Sequence, residues 1–142
     1  MVSMQPITMT PIGHVESDFR GFASVDEMRP NTSRLVLRPE LVAGLEGLES
    51  GKRIVVLFAF HKAEGYLIRR HPRDNPAKPI RGVFALRSQY RPNPIGVTVA
   101  QIVGIVDNVV EVTGLDALTG SPLLDIKPYV QDFDDSARSD PE

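Results

Sequence analysis

Apolar and polar residues alternate with period two through most of the chain, and helical spacing holds over one short stretch only. Residues 34–38 (RLVLR) alternate as a half-buried strand does. Residues 53–61 (RIVVLFAFH) are almost continuously apolar and predict a central strand buried on both faces. The runs 97–106 and 109–113 flank Asp107-Asn108, two residues that tolerate positive φ, and so predict a hairpin. Residues 82–87 (GVFALR) have strand character. Residues 121–129 (SPLLDIKPY) are extended because two prolines leave no room for a regular helix. A first strand is expected at 7–15, broken near Pro11 and Gly13, and 19–31 reads as a polar, irregular connection. Helical spacing is confined to Leu41, Leu45 and Leu48, opened by Pro39-Glu40 and closed by Gly51. Gly44 and Gly47 inside that segment cost about 1 kcal/mol each relative to alanine, so the helix is short. The pattern predicts a mainly β protein, one antiparallel β-barrel with one short helix and long loops, since closure is how such a sheet hides its edges.

Length and composition narrow this picture. The 142 residues suit one domain, expected over 1–130, followed by an acidic tail at 131–142 that frays or packs on another subunit. With no cysteine, disulfides, thiolate zinc sites and a catalytic Cys are excluded. The longest apolar run, 54–60, is far too short to span a bilayer, no signal-like segment opens the chain, and the cytoplasm is the expected location.

Charge changes the picture more. Net charge is −2, yet residues 69–91 carry seven Lys/Arg against one acid. Arg69, Arg70, Arg73, Lys78 and Arg81 fall in or beside the loop 64–79, which is long for a compact domain, and the concentration of charge suits phosphate. A solvated basic loop would look the same.

Three segments hold polar residues where folding alone would not put them. His61 and Lys62 follow the most apolar strand. The segment 87–96 (RSQYRPNPIG) sets Tyr90 between Arg87 and Arg91 and fixes Asn93 between prolines, a rigid presentation suited to stacking on a base or gripping a carboxylate. The third, 114–129, offers Asp116 at a turn and Asp125 among leucines and isoleucine with Lys127 on the same strand face, either a structural ion pair or a site group. His14, His61 and His71 lack ligand spacing, so no metal is expected. No phosphate loop, dinucleotide fingerprint or nucleophile elbow is present.

The segments GVFALRSQYRPNPIG and GLDALTGSPLLDIKPY, with PIGHVES and FAFHKAEG, resemble the TsaA/TrmO family of tRNA methyltransferases. The resemblance runs from Pro11 to about Tyr129. It implies a homodimeric β-barrel that uses S-adenosylmethionine to methylate N6 of threonylcarbamoyladenosine, beside the anticodon of a threonine tRNA. It also implies cofactor contacts from His61, Lys62, Arg87 and Val97, and from Leu115, Asp116, Ala117 and Leu118. Tyr90, Arg91 and Asn93 are then expected at the nucleoside and the 69–81 cations at RNA phosphates. Methyl transfer needs a proton taken from N6, and Asp116, Asp125 and His61 are the candidate acceptors. Where many relatives have Pro-Arg-Gln, residues 23–30 read ASVDEMRP, which puts cofactor contacts from that connection in doubt. Longer relatives carry a C-terminal extension, and RNA contacts from one are not expected here. A cofactor sensor without methyl transfer is the main alternative, and a hydrolase using Asp125 and His61 a third.

Overall fold

The computed structural model describes residues 4–21 and 23–135. Six strands close into an antiparallel barrel in the order β1 (Gly13–Glu16), β2 (Thr32–Leu37), β7 (Val109–Thr113), β6 (Ile95–Val106), β3 (Arg53–Ala59) and β8 (Pro122–Pro128). A two-stranded ribbon, β4 (Arg69–Arg70) with β5 (Arg81–Gly82), forms a separate sheet. No helix among the described residues is long and apolar enough to cross a membrane.

Alternation decides what fills the barrel. Along β6, Gly96, Thr98, Ala100 and Ile102 point inward and are buried, while the residues between them are exposed. Ile54, Val56 and Phe58 of β3 and Val110 and Val112 of β7 meet them inside, each at most 1% exposed. Each such side chain contributes roughly 1.5–3 kcal/mol. Two glycines permit the packing. A Cβ on Gly96 would stand 2.5 Å from the Phe58 ring, and one on Gly13 would stand 2.1 Å from the carbonyl oxygen of Val36.

Several expectations change. Strand β3 is buried on one face only, with Val55 and Leu57 half-exposed, because no second layer covers the barrel wall outside it. The segment at 39–51 is not an α-helix but a 3-10 helix over Pro39–Leu45. It stops ahead of Gly47, whose φ of 95° no right-handed helix accepts. The strand expected at 82–87 ends at Gly82 and passes into a 3-10 turn over Val83–Ala85. The carbonyl of Ile68 takes the Val83 amide, but β4 offers no further ladder partners. The first strand is confined to Gly13–Glu16. Within the connection expected to be irregular lies α1 (Val25–Met28), started by a capping box in which the Glu27 amide donates to Ser24 Oγ and Ser24 Oγ donates to Glu27 Oε1. The hairpin at Asp107-Asn108 forms as expected, with Asp107 at φ 52°. Of the acidic tail, α2 (Gln131–Asp134) is seen, and 136–142 lie outside the described residues.

Candidate functional site

Strand directions sort every connection to one end of the barrel or the other. The C-terminal ends of β1, β3 and β7 and the N-terminal ends of β2, β6 and β8 share one rim. That rim therefore receives the connections 17–31, 60–94 and 114–121. The opposite rim carries the connection 38–52 and the tight turn at 107–108, and the segments before β1 and after β8, α2 among them, leave from it. All three chemically suspect segments thus meet at one end.

Hydrogen bonds tie them together there. The Phe60 amide donates to Pro94 O at 2.8 Å, and the Phe60 ring stands edge-on to Phe58 at 5.3 Å, so the chain leaving β3 is fixed and His61 is carried onto the rim. Gly120, with φ of 86°, turns beside the His61 ring, and a Cβ there would lie 3.5 Å from Nε2. The Gly120 amide reaches Val15 O, and the Thr119 amide reaches Phe19 O, both at 2.7 Å. Lys62 Nζ donates to Arg20 O at 2.6 Å and so holds the 17–31 connection against the 60–62 corner. Desolvation, with a smaller push from Lys62, lowers the pKa of His61 below its usual 6.5. Its imidazole is therefore mostly neutral at neutral pH, with a lone pair able to accept a proton.

Asp116 projects at the same rim. Thr98 Oγ1 donates to its Oδ1 at 2.5 Å, while Oδ2 forms no hydrogen bond among the described residues. Leu115 and Ala117, on either side, are each 1% exposed and plug the barrel, so their side chains are closed to any ligand and only their backbone could contact one. Leu118 is half-buried. Asp125 lies elsewhere: it pairs with Lys127 Nζ at 2.9 Å and lines a separate cleft of about 330 Å³ with Leu37, Glu40, Leu45 and Leu48.

Arg87 and Val97 open a second region. Arg87 donates to Val97 O at 2.7 Å, and both line a cleft of about 550 Å³ on the outer wall, with Val55, Val99, Tyr129, Asp134 and Asp135. The cofactor candidates thus divide between rim and wall, joined where Val97 and Thr98 run from one to the other. Thr98, Tyr129, Asp134 and Asp135 are site residues that sequence reasoning missed. Thr98 left a legible signal, being the one polar residue at the buried phase of β6.

The basic segment also divides. Arg70 is drawn inward, its side chain 10% exposed, where it pairs with Asp74, donates to Ser88 Oγ at 3.0 Å and lies 5.2 Å over the Tyr90 ring. Arg91 donates to Leu86 O and Ser88 O, closing the 86–91 loop on itself. Both guanidiniums shape the loop that presents Tyr90. Arg69, Arg73, Lys78 and Arg81 are exposed, and among the described residues none forms an ion pair. Asn93 is exposed at the rim end of β6.

Comparison with known proteins identifies the family. Residues 22–135 match the family model of the tRNA-methyltransferase O N-terminal domain. A probable S-adenosyl-L-methionine-binding protein of Methanothermobacter thermautotrophicus is 36% identical, the match covering 94% of this chain and 97% of that protein. A tRNA (adenine(37)-N6)-methyltransferase of Rattus norvegicus is 35% identical over 93% of this chain but 33% of its own length. The crystal structure of TrmO from Pseudomonas aeruginosa superposes with a TM-score of 0.73 at 32% identity, covering 96% of this chain and 62% of that one. The chain thus spans less than two thirds of the solved TrmO chain and about a third of the rat enzyme.

Proposed function

The chain belongs to the tRNA-methyltransferase O family, and on that premise we propose that it is an S-adenosylmethionine-dependent methyltransferase acting on N6 of an adenine in tRNA. The observation that carries the reading is the meeting of the His61 and Asp116 segments at one end of the barrel, with the Arg87–Val97 contact and a ligand-sized cleft on the adjoining outer wall. The cleft suits the cofactor chemically. Its volume falls in the range of small-molecule sites, its valines and Tyr129 offer an apolar face to a purine, and Arg87, Asp134 and Asp135 offer partners to a carboxylate, an ammonium and ribose hydroxyls.

When bound, S-adenosylmethionine supplies an electrophilic methyl group, and the chain has mainly to align N6 with it. The N6 lone pair is delocalised, so a proton must leave as the bond forms. In this reading the acceptor is His61, which is neutral and stands at the rim beside Gly120. Asp116 has one oxygen fixed by Thr98 and the other available, and its role in this reading is to accept the remaining N6 or carbamoyl N–H and orient the base. Asp125, in its own cleft and paired with Lys127, takes no part. Tyr90 and Asn93 face the incoming nucleoside, with Tyr90 braced from beneath by Arg70.

The finer proposal is that the adenine is threonylcarbamoylated and adjoins the anticodon of a threonine tRNA. The reading extends to a homodimer working in the cytoplasm. Sedimentation velocity tests the dimer. Incubating the full chain with methyl-labelled cofactor and total tRNA, followed by nucleoside mass analysis, tests the function. Label in an N6-methylated adenosine derivative supports it. Cofactor binding without label in RNA would instead favour a sensor, the role that the archaeal relative's name leaves open.

A further inference from the structure

The projection formed by residues 66–84 has a composition that neither the barrel nor the methyl-transfer site requires. Phe84 is 81% exposed, Tyr66, Leu67 and Ile68 are 52–56% exposed, and Ile80 is 47% exposed. The barrel body has ample core without them, and large apolar side chains gathered on a surface mark an interaction site. They are held rather than loose. Val83, 1% exposed, anchors the turn that carries Phe84, its amide bonds Ile68 O at 2.8 Å, and the Leu67 amide bonds Tyr90 O at 3.2 Å. Strand pairing of Arg69 with Gly82 and Arg70 with Arg81 brings the two apolar runs side by side.

Charge identifies the partner. Within 66–84 there are five Lys/Arg and one acid, and that acid, Asp74, is taken by Arg70. Arg69, Arg73, Lys78 and Arg81 remain as exposed cations around the apolar residues. A second copy docking the same patch about a two-fold axis would bring four cations against four, which opposes association. A polyanion with flat apolar faces satisfies both features at once, and single-stranded RNA is such a ligand: cations track its phosphates while bases stack on aromatic side chains.

We propose that the 66–84 projection is a second RNA-binding surface, on which Phe84 stacks an unpaired base outside the methylated position and the surrounding cations hold its phosphates. The inference rests on the tRNA reading for its natural ligand, but the binding surface stands or falls on RNA affinity alone. Its probe is a short stem-loop RNA with 2-aminopurine placed in turn at each loop position, read by fluorescence with the full chain. Wild type and Phe84→Trp are expected to quench one loop position, and Phe84→Ala to weaken RNA binding at least about five-fold. Thermal midpoint and cofactor affinity should stay unchanged, because Phe84 contacts neither core nor cleft. Wild-type RNA affinity in Phe84→Ala would overturn the proposal. A wild-type dimer that Phe84→Ala converts to monomer, at equal RNA affinity, would overturn it in favour of a protein interface. Loss of RNA affinity in Phe84→Ala, together with no methyl transfer by wild type, would leave this surface standing and remove the enzymatic reading.

Discussion

The two ends of the barrel are closed by the same six strands, yet one carries 15-, 35- and 8-residue connections and the other one 15-residue connection, part of it a 3-10 helix, and a two-residue turn. At the quiet end, apolar side chains settle the local structure: Leu45 is buried, Asn108 Nδ2 bonds Leu37 O at 2.6 Å, and Asp125 and Lys127 satisfy each other nearby. At the busy end, polar groups stay incompletely satisfied among the described residues: His61 is partly desolvated without a hydrogen-bond partner there, one Asp116 oxygen accepts no hydrogen bond from them, and four cations pair with none of their acids. Strand ends fix positions cheaply, and long connections then choose what is displayed there. The contrast assigns chemistry to one end and closure to the other.

The contrast breaks most visibly through the proton acceptor. His61→Gln is expected to slow methyl transfer on the order of a hundredfold with little change in cofactor affinity, measured by single-turnover labelling. The wild-type rate should rise with pH along a limb whose midpoint lies below 6.5, because protonation below the lowered pKa of His61 removes the base. That rising limb should vanish in His61→Gln, and a limb that persists would move the role to Asp116.

The barrel that both ends share is next. Gly13→Ala should cost about 1–3 kcal/mol in denaturant unfolding, since its Cβ meets backbone that cannot rotate away. A smaller expected effect comes from Arg69, Arg73 and Lys78, replaced together by alanine. RNA affinity should fall about tenfold and its salt dependence should flatten, with cofactor affinity held. The smallest is at the quiet end. Asp125→Asn removes an exposed ion pair worth roughly 0–1 kcal/mol and should change the methylation rate by less than about twofold, and a large loss there would dissolve the distinction between the two ends.

How much of this was legible follows from which interactions are local. The hairpin at Asp107-Asn108, the extended 121–129 segment and the barrel closure are set by alternation and turn chemistry, and the sequence shows them. The candidate site was legible as three segments, because prolines, histidine and aspartates in apolar company are conspicuous. Their division was not. Arg69 and Arg70 are neighbours with the same side chain, and only the ribbon's two faces make one a solvent cation and the other a brace for Tyr90. Asp116 and Asp125 look alike in sequence, and only the fold sends one to the rim beside Thr98 and the other to a separate cleft. Phe84 reads as a strand residue until the missing ladder partner leaves it in solvent.

Hydrogen–deuterium exchange of the full chain with and without S-adenosylmethionine tests the central claim most directly, since it reports both ends in one experiment. The account predicts slowed exchange in 60–62, 86–99 and 114–121 and unchanged exchange across 38–52. Protection centred on 38–52, with the 60–62 and 114–121 segments unaffected, would contradict it.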